Sequence, residues 1–322
     1  MSLLPRPRTG ATNPTDPAAT ADVVGRAETG LSVGGEIQGA GQSLFRRGLA
    51  VFSENRLALL GAGIVVFFML FCFVGPHLYH TDQVTTNLAA ANEPPSSEHP
   101  LGTDPTGHDE LGRLMYGGQA SLEVGIAAAL LATVFGTLYG AVAGYVGGAV
   151  DAVLMRLVDG LLAVPAIFLL LVLSTIYTPG PGVMILLIAG LSWLGAARLI
   201  RGEALSLRVR DYVQAVRVMG GSNTRAVVRH VVPNAVGTVV VFASFTVADS
   251  IITLSFLGYL GLGIQPPKTD WGGMLSTATV YINSGYWWLL YPPGIAIVLV
   301  AIAFNFMGDA LRDAFEVRLQ RR

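Results

Sequence analysis

The single lysine of this 322-residue sequence, Lys268, sits in QPPKTDW. A phosphate-gripping loop of the form GxxxxGK[ST] needs a lysine that reaches the phosphates of a nucleotide. The chain therefore binds no ATP in that way, and no catalytic residue is assigned. Its five histidines are His77, His80, His99, His108 and His230, and no HExxH helix occurs among them. His77 and His80 are spaced for one helix face, but no third ligand accompanies them, so no metal site is assigned. Cys72 is the only cysteine, which excludes an intrachain disulfide and a thiolate cluster. It lies within an apolar run and reads as packing. The acids of GTDPTGHDELGR (102–113) lack the alternating oxygens and terminal glutamate of a calcium-binding EF-hand. That segment reads as a turn-rich docking or structural loop. What remains is Asp249, in VFASFTVADSIITLSF, where a charge at mid-membrane costs at least ~2.5–3.5 kcal/mol. It is expected to face a polar cavity or a partner group, either contacting a substrate or holding helices together. Asp159, near a membrane edge, is the other charge that a coupling-ion site would have to use.

The elements that must position these groups are membrane helices. Hydrophobic residues make up 52% of the chain and charged ones 13%, where a soluble domain carries about 25% charged residues. Six apolar runs, near 57–74, 124–146, 157–176, 183–200, 235–257 and 289–307, approach or reach the roughly 20 residues that cross ~30 Å of hydrocarbon as a helix. The fold class expected is an all-α membrane protein with six transmembrane helices. Of the 20 lysines and arginines, all but Arg113 and Lys268 fall on one side if the N-terminus is cytoplasmic. Basic loops are retained inside, so both termini are expected in the cytoplasm.

Along the chain, residues 1–42 are expected to be a disordered cytoplasmic tail, because their Gly-, Ala-, Thr- and Pro-rich composition buries too little to offset ordering entropy. Residues 43–56 interleave apolar side chains with arginines, as an interfacial helix does. The first transmembrane helix is expected at 57–78, an external loop or subdomain at 79–118, and a second external element at 258–288, with Trp287 and Trp288 at the interface. Residues 311–322 form a cytoplasmic tail. Gly136, Gly140, Gly144 and Gly148 recur every fourth residue, a stripe that lets another helix approach closely; helix packing is preferred to a ligand-lining role. Pro165 is expected to kink the third span.

One basic stretch interrupts the oil: RVRDYVQAVRVMGGSNTRAVVRHVVPN (208–234). Asp211 and Gln214 resemble a capping box, so a helix is expected to start there. It would present Tyr212, Ala215, Val216 and Met219 on one side, with Arg208, Arg210 and Arg217 solvated or near headgroups. Gly220 and Gly221 end it, Ser222 caps a second helix, and Pro233 closes that one. A DNA-reading hairpin flanked so closely by two spans could scarcely enter a major groove. Small and apolar residues on a short helix suit a protein groove better.

This stretch resembles the cytoplasmic signature of permease subunits in binding-protein-dependent ABC importers, with Gly220 and Pro233 at the expected spacing. HPLGTDPTGHDELGRLMYGGQASLEVG (99–125) and LSFLGYLGLGIQPPKTDWGGML (254–275) narrow the likeness to the C-type permease of the dipeptide, oligopeptide and nickel family. The resemblance covers about residues 45–318 and implies a type I ABC importer permease architecture, with a permease core at 119–310 and coupling helices at 211–232. It implies a heterodimer with a homologous permease subunit, two ATPase subunits that supply ATP and Mg, an external peptide-binding protein, and residence in a bacterial inner membrane. No cofactor is bound by this chain, which is a transport subunit and not an enzyme. Cargo is expected to be di- or oligopeptides, with nickel or another small solute as the alternative. A stand-alone secondary transporter is the competing class. The implied ATPase-coupling residues are Tyr212, Gln214, Ala215, Val216, Arg217, Met219, Gly220, Gly221 and Pro233. Gln214 and Val216 replace the signature's Glu and second Ala, and His108 stands where the family commonly has Arg.

Overall fold

The computed structural model describes residues 54–177, 180–220 and 222–320. The expectations for the tail at 1–42 and for most of the interfacial helix at 43–56 lie outside these residues. Among the described residues the chain is helical: α1 (Arg56–Phe73), α2 (Glu110–Val146), α3 (Gly148–Leu162), α4 (Ala166–Ile176), α5 (Pro181–Arg208), α6 (Asp211–Val218), α7 (Val232–Tyr259), α8 (Trp271–Val280) and α9 (Trp287–Gln320), with a few single turns between them. Five of these helices are long and apolar enough to cross a membrane, and a sixth crossing is present if α3 and α4 count as one bent span.

Local chemistry sets the starts and breaks. The Asn55 side chain accepts from the amides of Leu57 and Ala58 to open α1, and Asp109 accepts from Gly112 to open α2. Helix α2 therefore begins at Glu110, not near 119; the GTDPTGHDELGR segment supplies its cap and first turn and is not all loop. It stops where Gly147 takes φ 70°, a left-handed conformation that glycine adopts without a Cβ penalty. Consequently Gly148 opens α3 and does not continue the glycine stripe of α2. Helices α3 and α4 meet at 77°. Pro165 takes extended backbone as the N-cap of α4, and proline cannot donate to the helix before it.

At the other join the chain runs on where an end was expected. The short helix Asn223–Ala226 passes through a π-helical turn, Val227–Val231, directly into α7. Pro233 in the first turn of α7 lacks an N–H, and a wider turn ahead of it absorbs the missing i→i−4 bond. The second arm is thus continuous with a span, and Pro233 does not close it.

Helices α2 and α5 form the most extensive pair. A Cβ on Gly136 would lie 2.5 Å from the Trp193 carbonyl oxygen, one on Gly144 would lie 2.6 Å from that of Arg201, and one on Gly140 would strike that of Ala197. Backbone meets backbone along this seam, where dispersion contacts hold helices together in lipid. A Cβ on Gly148 would meet nothing within 4 Å. Cys72 is buried, and a side chain on Gly118 would strike its Sγ.

Candidate functional site

At the basic end of the bundle, α5 runs into a hairpin made of α6 and the Asn223–Ala226 turn. Its base is packed. Val213, Ala226, Val227 and Val231 join Tyr145, Ile200, Ala204 and Leu207 in one apolar cluster. Its tip is not: Val218 is 87% and Met219 78% exposed. Gly220 ends the first arm at φ 77°, and a Cβ there would meet nothing within 4 Å. The constraint at Gly220 is therefore backbone conformation and not space. Ser222 accepts from the Arg225 amide at 3.2 Å and caps the second arm.

Gln214 departs from the capping-box expectation. Its Nε2 donates to the Arg208 carbonyl at 3.1 Å, across the break between α5 and α6, whereas a capping box would have its side-chain oxygen accept from the Asp211 amide. Asp211 lies within the first turn of α6, not before it. Ala215 is exposed. The side chains of Tyr212, Val216 and Arg217, and the whole of Gly221, lie outside the described residues.

Two ion pairs tie α3 to α5 just above the hairpin. Arg201 grips Asp151 in bidentate fashion, Nε to Oδ1 at 2.5 Å and Nη2 to Oδ2 at 2.7 Å, and Arg198 donates to Asp159 Oδ1 at 2.6 Å. Such forks fix orientation as well as distance. Asp159 is thus paired on the same chain. The sequence singled out Asp159 without a partner and did not pair Arg201 with Asp151, because residues about forty to fifty apart are brought together only by the α3–α5 packing.

The opposite end is built from residues 79–109, the start of α2, and α8. Asp109 is its hub: Oδ1 caps α2 through Gly112 at 2.8 Å, while Oδ2 accepts from the Tyr79 hydroxyl and meets His99 Nδ1, both at 2.9 Å. Burial and the hydrogen bond to Asp109 push the Tyr79 phenol up to about 12. Asp104 accepts from the Thr106 hydroxyl at 2.7 Å and the His108 amide at 2.9 Å, and pairs with Arg113 Nε at 3.2 Å. His108, expected as an exception to a family arginine, is buried with its Nδ1 2.6 Å from the Thr106 hydroxyl. In α8, Asp270 caps the helix through Gly273 at 3.0 Å and accepts from the Ile264 amide at 2.9 Å. Burial pushes its carboxyl above the ordinary carboxylate range, against the pull of these amides. Trp271 is fully buried and donates from Nε1 to the Leu114 carbonyl at 3.0 Å. The 258–288 segment is therefore a folded element locked onto α2.

Asp249 is exposed on α7, close in level to the point where a side chain on Gly125 would meet Ile251. A second acid on a span escaped the sequence reading: Glu123, exposed on α2. Its signal was a lone carboxylate in the apolar run SLEVGIAAALLATVFG.

The family described as binding-protein-dependent transport system inner membrane component matches residues 136–321. That described as the N-terminal TM domain of oligopeptide transport permease C matches residues 43–95. The chain is 42% identical over 278 residues to the oligopeptide transport system permease protein OppC of Escherichia coli K12, an alignment covering 86% of this chain and 92% of that protein. It is 38% identical over 268 residues to the dipeptide transport system permease protein DppC of Bacillus subtilis, covering 83% and 84%. With the oligopeptide transport system permease protein OppC of Bacillus subtilis it shares 36% over 279 residues, covering 87% and 91%.

Proposed function

Since this chain belongs to the family of binding-protein-dependent transport system inner membrane components, we propose that it is the permease subunit of an ATP-driven importer that carries di- and oligopeptides across a bacterial inner membrane. The exposed tip of a hairpin with a buried base carries this reading. Val218 and Met219 face outward while Val213 is sealed into the bundle, and two adjacent apolar side chains left that exposed at the end of a short helix suit insertion into a groove of another protein. The tip is the coupling element, seated on a cytoplasmic ATPase subunit. The nine residues from Tyr212 to Pro233 named above form or flank that contact, with Gln214 holding the hairpin to α5 where an acid would have reached toward the ATPase. Both termini are cytoplasmic, and the 79–109 segment and α8 are external.

In this arrangement a homologous permease subunit completes the pathway, two ATPase subunits bind ATP with Mg, and an external peptide-binding protein delivers cargo. ATP binding draws the ATPases together; the hairpins move with them; the cavity between the permeases opens outward to receive the peptide. The names of the relatives, dipeptide and oligopeptide permeases, support peptides as cargo over nickel. Asp249 lies on the translocation path, and Gly136, Gly140 and Gly144 hold α2 to α5 beside it.

Reconstitution tests the reading. In liposomes holding the chain with its partner permease, the ATPases and loaded binding protein, peptide uptake should require ATP. Uptake driven by an ion gradient without ATP would overturn it in favour of a secondary transporter. Gly220→Leu places a branched side chain at positive φ, costing roughly 1–2 kcal/mol locally. It should leave insertion intact while uncoupling ATP hydrolysis from uptake; normal ATP-driven uptake would refute the coupling role.

A further inference from the structure

At the end opposite the hairpin, the face of α2 from Arg113 to Glu123 borders a cleft of about 450 Å³, closed on its other sides by residues 81–84, Pro181 and Pro267–Thr269. That volume falls in the range of small-molecule sites, and the wall mixes apolar surface with a few polar groups. The charges are not equivalent. Asp82 is folded into its own turn, where hydrogen bonds from Thr85 and Val84 lower its carboxyl to about 2. Arg113 is committed to Asp104 and His108. Lys268 and Glu123 are the two lining charges with no partner among the described residues, and both are exposed.

Their placement is ordered along α2. A side chain on Gly117 would meet Thr269 at 3.3 Å, so Lys268 hangs at about that level. Glu123 lies six residues further along the helix, about 9 Å of rise. An extended peptide covers that distance in about three residues. A carboxylate on an apolar span needs water or a cation to offset its desolvation, and among the described residues no cation pairs with Glu123.

We propose that this cleft is a peptide-accepting site at the external mouth, in which Glu123 receives the terminal ammonium and Lys268 the terminal carboxylate of a short peptide. The assignment rests on the importer reading above and adds what that reading lacks: a place on this subunit that recognises cargo by its two ends. Gln119 donates to the Cys72 carbonyl at 2.7 Å, which leaves its own side-chain oxygen on the cleft wall as an acceptor for peptide N–H groups.

The test measures ATP-driven uptake by the complete assembly in liposomes, using tri-alanine, its C-terminal amide and its N-acetyl form over a range of concentrations. Taking each preference in a variant as a ratio to that of the unaltered assembly, with the same binding protein in both, cancels that protein's own preference. Lys268→Met should lower the preference for free over amidated tripeptide about tenfold and leave the preference over the acetylated form unchanged. Glu123→Gln should do the converse. ATPase stimulation by loaded binding protein should be kept in both, showing that each assembly is intact. Unchanged preferences in both variants would overturn the assignment. So would an equal loss on all three peptides, which marks contact with the partner permease or the binding protein. If the unaltered assembly takes up none of the three with ATP, the importer reading itself fails, an outcome distinct from intact uptake with unchanged preferences.

Discussion

The two ends of the bundle treat polar and apolar groups in opposite ways. At the end bearing 79–109 and α8, carboxylates are buried and answered: Asp109, Asp104 and Asp270 each accept several hydrogen bonds, and Trp271 is sealed between them and α2. At the hairpin end, Val218 and Met219 are left bare at the tip. A buried polar network is stabilising only when its members are satisfied, and it then holds a shape without outside help. An exposed apolar tip gains nothing until a partner covers it. The three carboxylates of the first, finished end find their partners within the chain, while the tip of the second, unfinished end lies uncovered.

The largest effect expected falls on the finished end. Trp271→Ala removes a fully buried ring and a hydrogen bond to Leu114, and should lower unfolding free energy by roughly 3–5 kcal/mol. Thermal unfolding of the assembly in detergent measures it, and a loss below about 1 kcal/mol would mean that α8 is not locked to α2. Next comes the seam that joins the two ends. Gly140→Leu drives a side chain into the Ala197 carbonyl and should cost about 1–3 kcal/mol, while Gly160→Ala, with open space around it, should be neutral or slightly stabilising. Equal effects of the two would deny the close approach of α2 and α5.

At the unfinished end the same assay should move little. Met219→Asp is expected to change stability by no more than about 0.5 kcal/mol, yet to abolish most ATP-driven uptake by charging the contact proposed for it with an ATPase. Full uptake in this variant would erase the contrast between the ends. The smallest effect is a pH dependence in the external segment. The Asp82 carboxyl is lowered from 3.8 to about 2, so its turn is held fully above about pH 4 and released as pH falls toward 2. Protection of the Val84 and Thr85 amides, taken against their intrinsic exchange rate at each pH, should fall over that window and lose its pH step in Asp82→Asn.

Much of the fold was legible because membrane helices announce themselves by composition. The spans, the break at Pro165 and the turn at Gly220 follow from hydropathy and from the backbone limits of proline and glycine. Boundaries were less legible. Helix α2 starts at Glu110 because Asp109 turns its side chain back to Gly112, and nothing in a row of turn-forming residues distinguishes that cap from a loop. Gly148 looked like the fourth member of a stripe because spacing alone does not reveal that Gly147 has already broken the helix. The capping box of Asp211 and Gln214 matched a pattern, but the end of α5 presents the Arg208 carbonyl, to which the Gln214 side-chain amide donates.

By itself, then, the sequence determined that this chain crosses a membrane several times, carries no phosphate-gripping lysine, and presents a basic hairpin between spans. Those are properties of composition and of short-range sterics. Tertiary structure alone decided that Arg201 meets Asp151, that Asp270 and Trp271 lock the far end, and that Lys268 and Glu123 share a cleft. These pairings join residues from about forty to more than a hundred positions apart, or join helix faces whose azimuth depends on packing. No local pattern encodes such distances, since they are set only when α3 packs on α5 and α8 on α2.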